Sequence, residues 1–369
     1  MKPWITNSLV VAGACAVMLG GIELALRTFG DDVLAMGNQF AFFRFDDRLG
    51  WNNLAGARGY FARSEYRIDV SINSLSMRDR EPLPADAPLQ RVAVLGDSFV
   101  WGVGAEYGER FTEVLEADAP QLDVWNYGVS GFGTTQEYLQ LDTVLARKPD
   151  YVVVAFCLSN DVMETVYPFR TGYNKPFAKR GDDGRVEVSG YPLLNTKAMG
   201  KTLVGADSNI RLIAVLDLLL NRLRKPDPAL GSPRFKTAFT IEDSKLYTAD
   251  DRLSDEERKQ KTAALDIDAD LIAMMQQKVE RVLGVGRFVL AFVPTKAELP
   301  SSTHVSNEVG DQLLKRLHAR GVAVLDTRAQ FNADDFWKRD GHWNAQGHQT
   351  FARALKAYLA GKLPAPHPN

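Results

Sequence analysis

Arg91-Val-Ala-Val-Leu-Gly96-Asp97-Ser98-Phe-Val-Trp-Gly102 begins with an apolar run, Val92 to Leu95, that stops at a glycine. A short apolar run bounded by a turn signal reads as a strand buried on both faces. Ser98 then stands at the start of a helical stretch. That arrangement lifts its hydroxyl to the carboxyl edge of a parallel sheet, where open α/β folds carry their sites. The first N–H groups of the helix point at the same spot and favour an anion there. The plainer account of Gly96-Asp97-Ser98 is a turn and a helix N-cap, because Asp and Ser are both common caps. A chemical reading needs partners elsewhere in the chain.

Outward from this run, strands and helices alternate. Strands are expected near 91–95, 122–126, 151–156, 286–293 and 322–326, and helices near 108–118, 135–147, 262–283, 306–320 and 345–360. The alternation predicts an α/β fold, a doubly wound parallel five-stranded sheet with flavodoxin-like order. Before it, residues 31–90 form an extension in which Tyr66 to Ile72 alternates like a half-buried strand, and Pro82 to Pro88 reads as a linker. Between Asn160 and the strand at 286–293 lies far more chain than one crossover requires, so an insertion is placed at about 165–260. Within it, Gly181-Asp-Asp-Gly184 between Lys175-Pro-Phe-Ala-Lys and Arg185-Val-Glu-Val predicts a hairpin. Ser208 to Leu223 reads as an apolar helix, core or lid, and Ser254-Asp-Glu-Glu257 as a capping box.

Three further segments follow Ser98 in order. Asn126-Tyr-Gly128-Val-Ser-Gly131-Phe-Gly-Thr134-Thr135 comes after the second strand. Phe156-Cys-Leu-Ser-Asn160-Asp161 ends the third, and Asp340-Gly-His342-Trp-Asn344-Ala-Gln-Gly347-His348 opens the last helix. This set resembles the SGNH (GDSL-like) hydrolase family, in particular its membrane-anchored bacterial type, over roughly residues 91–361. Asn73-Ser-Leu-Ser-Met-Arg78-Asp79 is similar to a segment that precedes the serine block in those relatives. The resemblance implies Ser98 as nucleophile and His342 as base. It also implies an oxyanion hole made by the backbone N–H groups of Ser98 and Gly131 and the side chain of Asn160. The implied substrate is an ester, with an acetylated glycan or a lipid as its carrier, and no cofactor is expected.

The residue types suit acyl transfer. A serine hydroxyl is a weak nucleophile at neutral pH and needs an adjacent base, which an imidazole of ordinary pKa about 6.5 supplies. The base needs an acceptor on its other nitrogen, and Asp340 is nearest. In most of the family the acid lies three residues before the histidine, where this chain has Arg339. The two-residue spacing of Asp340 is similar to that of relatives acting on polysaccharide acetyl groups. Asp335 and Asp334 are the alternative acids. Leu158 replaces the usual block-three glycine and is expected to narrow the acyl pocket.

Three activities are therefore carried: a serine esterase, a polysaccharide O-acetyltransferase or deacetylase, and a non-catalytic envelope assembly component. His348 reads as structural, and His304, His318 and His367 as surface residues. No Cys or His cluster has metal-ligand spacing, and no glycine-rich loop ends in Lys-Ser/Thr. A net charge of −2 leaves no basic footprint for nucleic acid.

Residues 1–30 carry an apolar stretch, Leu9 to Leu26, interrupted by Glu23 and flanked by Trp4 and Arg27. Counted from Trp4 it reaches about the 20 residues that cross a bilayer. A cleaved signal peptide lacks a good Ala-x-Ala site. A lipoprotein signal at Cys15 conflicts with the apolar run continuing past it, so an uncleaved signal anchor fits best. The catalytic domain is expected outside the cytoplasm, as in similar anchored proteins. Cys15 and Cys157 are awkwardly placed for a disulfide.

Overall fold

The computed structural model describes residues 3–29, 42–84, 86–170, 173–193, 212–213, 237–299 and 308–362. Helix α1 (Pro3–Phe29) is followed by two antiparallel strand pairs, β1 (Phe43–Asp46) with β2 (Gly50–Asn53), and β3 (Arg58–Arg63) with β4 (Tyr66–Ser71). Then come β5 (Gln90–Gly96), α2 (Ser98–Trp101), α3 (Phe111–Asp118), β6 (Leu122–Asn126), α4 (Thr134–Leu145) and β7 (Tyr151–Cys157). The insertion contributes α5 (Asp161–Val166), β8 (Phe169–Arg170), β9 (Tyr173–Asn174), β10 (Phe177–Arg180), β11 (Val186–Ser189) and α6 (Asp243–Leu246). The chain closes with α7 (Asp255–Leu283), β12 (Phe288–Val293), α8 (Glu308–Ala319), β13 (Val324–Asp326) and α9 (Ala345–Ala360).

The central sheet is parallel and five-stranded, in the order β13-β12-β7-β5-β6. Numbered along the chain, that is the flavodoxin-like order, with its switch point between β5 and β7. Successive side chains on a strand point to opposite faces. Accordingly Leu95, Val154, Phe156 and Phe292 join one core with α4, α7 and α8, while Val94, Val153, Ala155, Ala291 and Val293 join another with α3 and α9. The sheet is covered on both sides. Burying a side chain the size of Val or Phe stabilises the fold by about 1.5–3 kcal/mol.

A third core lies at the carboxyl edge of the sheet. Phe42, Phe43, Trp51, Phe61, Tyr66 and Ile68 of the extension pack there against Trp101, Val129 and Phe132. The alternation expected for Tyr66 to Ile72 is present, with Tyr66, Ile68 and Val70 buried and the residues between them exposed. Its partner β3 carries no comparable pattern.

Most other differences concern where elements begin. The expected Ser254–Glu257 capping box forms and starts α7 at Asp255, so that this helix extends the stretch expected at 262–283. The helix expected at 108–118 is a 3-10 turn (Tyr107–Glu109) followed by α3. The hairpin at 175–188 forms, with β10 against β11. Residues 31–41, His304, His367 and all of the Ser208–Leu223 run except 212–213 lie outside the described residues. Within α1, Val10–Thr28 is long and apolar enough to cross a membrane, a property that an N-terminal signal sequence shares.

Candidate active site

The local geometry at Ser98 follows from a carboxylate. Asp97 caps α2, its Oδ1 accepting the Phe99 N–H at 2.9 Å. Its Oδ2 accepts from Asn160 Nδ2 at 2.8 Å, across the switch point. One buried carboxylate thus ties the end of β5 to the end of β7. It also fixes which end of the Asn160 amide presents hydrogens, since only the nitrogen can donate to Asp97.

The loop after β6 presses close to α2. A Cβ on Gly128 would lie 2.3 Å from the Trp101 backbone nitrogen, so only glycine allows this approach. Gly131 has φ +83°, the left-handed region, which sets its backbone at the rim of the cavity. The extension braces this loop: Trp51 Nε1 donates to the Ser130 carbonyl at 3.0 Å, and Asn53 Nδ2 to the Gly128 carbonyl at 3.0 Å.

The last block folds back as a small hairpin, with Phe336 bridged antiparallel to Trp343 and Asp340 near its tip. Trp343 anchors it, fully buried against Phe99, Phe331 and Phe351. His342 Nε2 lies 2.8 Å from Ser98 Oγ, and His342 Nδ1 lies 2.5 Å from Asp340 Oδ1. Burial pushes the Asp340 carboxyl up. The hydrogen bond and charge of His342 and the bond from Tyr66 outweigh that effect and hold it well below the usual carboxylate range. An ionised Asp340 accepts, so Nδ1 carries the proton and Nε2 offers its lone pair to the serine hydroxyl.

Of the alternative acids, Asp335 is buried and bound to the Asn332 N–H and the Thr350 hydroxyl. Asp334 serves through its backbone carbonyl, which accepts from Asn344. Neither is bonded to His342. Leu158 does not narrow the cavity, contrary to expectation: it is buried in the core, and Ser159 and Asn160 line the wall instead. His348 is structural, its Nδ1 accepting the Phe111 N–H at 3.3 Å, and burial first of all drives its pKa down to about 3. His318 is exposed, and the two cysteines are not bonded to each other.

Two contacts come from residues with no motif. The Tyr66 hydroxyl donates to Asp340 Oδ2 at 2.7 Å. The Glu65 carboxylate accepts the backbone N–H groups of Lys338, Arg339 and Asp340 at 2.9, 2.6 and 2.8 Å. The β3–β4 turn therefore grips the tip that carries Asp340. No local signal reveals this, because Tyr66 and Asp340 lie 274 residues apart in the chain. Behind the site, Glu137 and Asp161 are fully buried, and burial, then neighbouring carboxylates, push the pKa of both well up. Among the described residues, no group of three or more His, Cys, Asp or Glu is placed to hold a metal ion.

A sequence profile of the GDSL-like lipase/acylhydrolase family matches residues 94–350, more than half of the chain. The chain belongs to this family. It is accordingly a hydrolase acting on ester bonds, and the reading as a non-catalytic component is set aside. No curated protein sequence matches it significantly. Solved structures similar to this GDSL-like hydrolase include a G-D-S-L family lipolytic protein from Desulfitobacterium hafniense (14% identity, TM-score 0.38, covering 73% of this chain and 99% of that one). A lipase/acylhydrolase from Enterococcus faecalis gives 14% identity, TM-score 0.40, and coverage of 76% and 100%. A single-residue mutant of a Geobacillus acetyl-xylooligosaccharide esterase gives 12%, 0.37, and coverage of 76% and 97%.

Proposed function

We propose that this hydrolase is a serine esterase that works through an acyl-enzyme on Ser98. The observation that carries the reading is the unbroken line of hydrogen bonds from Asp340 through His342 to Ser98 Oγ. His342 Nε2 takes the serine proton as Oγ attacks the ester carbonyl, while Asp340 holds the imidazole and stabilises its cation. The oxyanion is received by the Ser98 and Gly131 N–H groups and by the Asn160 amide hydrogen not given to Asp97, each such donor being worth about 100- to 1,000-fold in rate. His342 then protonates the departing alcohol, and water, deprotonated by the same nitrogen, releases the acid. With a sugar hydroxyl replacing that water, the same steps transfer the acyl group. The two-residue Asp340–His342 spacing and the apolar α1 favour an acetylated glycan as the carrier. In this reading α1 anchors the enzyme, with the catalytic domain outside the cytoplasm.

Ser98→Ala is expected to abolish hydrolysis of 4-nitrophenyl acetate and labelling by a fluorophosphonate, with unchanged near-UV circular dichroism. A folded Ser98→Ala protein that hydrolyses the ester at near the wild-type rate removes the reading. Release of free acetate, measured against transfer to an added glycan, separates the hydrolase from the transferase.

A further inference from the structure

The cavity above Ser98 has a volume of about 450 Å³, within the usual range for small-molecule sites. Its ionisable lining consists of Arg63, Arg170, Asp340 and His342. Both oxygens of Asp340 are committed, Oδ1 to His342 and Oδ2 to Tyr66. Asp340 keeps its negative charge, and the cationic groups of the wall are the two guanidiniums, Arg170 being paired with Glu164 and Arg63 Nη1 donating to the Ala62 carbonyl at 3.5 Å.

They flank the nucleophile on different sides. Arg170 stands beside the oxyanion position, since a Cβ on Gly131 would lie 3.2 Å from its Nε. It is held from behind by Glu164, whose side chain is only 2% exposed against 29% for Arg170. Arg63 ends β3 directly opposite Tyr66, the residue that holds Asp340. Its guanidinium stacks 4.5 Å over the ring of Phe61, another lining residue. Arg63 thus belongs to the acid–base side, where His342 hands its proton to the leaving alcohol.

We infer that Arg63, on the leaving-group side, forms an anion-recognising subsite to which Arg170 adds positive charge from across the cavity, and that the preferred substrate is an ester whose alcohol part carries a carboxylate or a phosphate. The inference rests on the ester reading of Ser98. A planar guanidinium matches either anion through paired N–H donors, and neutral glycosides offer no such partner. The simpler account makes Arg170 a wall ion pair and Arg63 a surface stack, and it predicts no discrimination by charge.

The test measures binding to the Ser98→Ala protein by calorimetry, with three acetylated methyl glucosides that differ at carbon 6: carboxylate, phosphate ester or hydroxyl. Both anionic ligands, or one of them, should bind at least about tenfold tighter than the neutral one at low salt, and added salt should shrink the advantage. Which anion binds tighter identifies the source. Arg63→Gln and Arg170→Gln should each cut the advantage threefold or more, and Arg63→Lys should keep part of it. Should Arg170→Gln fail to fold with buried Glu164 left to the Lys175 ammonium alone, Arg63→Gln carries the test alone. No measurable difference between charged and neutral ligands, or an advantage that survives Arg63→Gln, overturns the subsite. Turnover of 4-nitrophenyl acetate by the wild type reports separately on the ester reading, because that substrate has no anionic alcohol part.

Discussion

Tyr66→Phe deletes a single oxygen and leaves the ring against Trp337, 5.2 Å away, and Phe61, 6.2 Å away. What is lost is the 2.7 Å bond to Asp340 Oδ2. A hydrogen bond to an ionised group contributes about 1.5–3 kcal/mol. The Asp340 side chain is 17% exposed, so water replaces part of that, leaving about 1–2 kcal/mol of lost orientation. At about 1.36 kcal/mol per decade, kcat should fall about 5- to 30-fold. KM should stay within about twofold, because Tyr66 does not line the cavity. Without its tyrosine partner Asp340 titrates higher, yet from so low a starting point that it remains ionised at neutral pH. The loss should therefore be constant above about pH 5, as for a misplaced base and unlike a protonated one. Steady-state kinetics with 4-nitrophenyl acetate across about pH 5–8, alongside urea unfolding, measure all three quantities. A kcat within twofold of wild type, or a loss confined to KM, refutes the positioning argument.

Asp340→Asn should lower kcat by orders of magnitude, up to about 10⁴-fold by analogy with the buried acid of other triads, while Asp335→Asn and Asp334→Asn leave kcat within about threefold; the same kinetic assay checks both. Asn160→Ala should lower kcat by about 100-fold or more with a smaller change in KM, and an unchanged kcat removes the amide from the oxyanion role. Burial raises the pKa of Asp268 to about 7, against a lesser lowering by bonds from Thr165 and Thr134. Its folded value lies above the ordinary one of about 3.9, so the stability linked to its proton is full below about pH 4 and is lost as pH rises through about 7. Asp268→Asn should flatten the fall in unfolding free energy, read from urea titrations between about pH 5 and 8, by up to about 1 kcal/mol per pH unit, and a slope identical to wild type contradicts this.

The sheet was legible because its signals are local. Each central strand is a run such as Val92 to Leu95 or Tyr151 to Phe156, apolar on both faces and closed by a turn residue, and no tertiary contact is needed to read it. The blocks at Ser98, Gly131, Asn160 and Asp340–His342 follow such strands or open the last helix, so the topology gathers them at one edge. Which of Asp340, Asp335 and Asp334 meets His342 was a matter of local turn geometry around Gly341, and the short hairpin from Phe336 to Trp343 sets Asp340 against the imidazole. The fate of Leu158 was not legible. Its effect depended on which way one side chain turned after β7, and that was set by the space open to it in the core beside Gly310.

What the sequence by itself determined was the α/β class, the strand positions and the residue types gathered at the candidate site, since periodicity and turn chemistry act over a few residues. Tertiary structure alone decided that the extension is part of the site. Glu65 and Tyr66 reach Asp340, Trp51 and Asn53 support the Gly128–Gly131 loop, and Arg63 enters the cavity wall. These contacts join segments far apart in the chain, and they depend on the third aromatic core, which packs β1 to β4 over the sheet edge. A hydrogen bond between residues that distant depends on the whole packing around it, which no short window of sequence encodes.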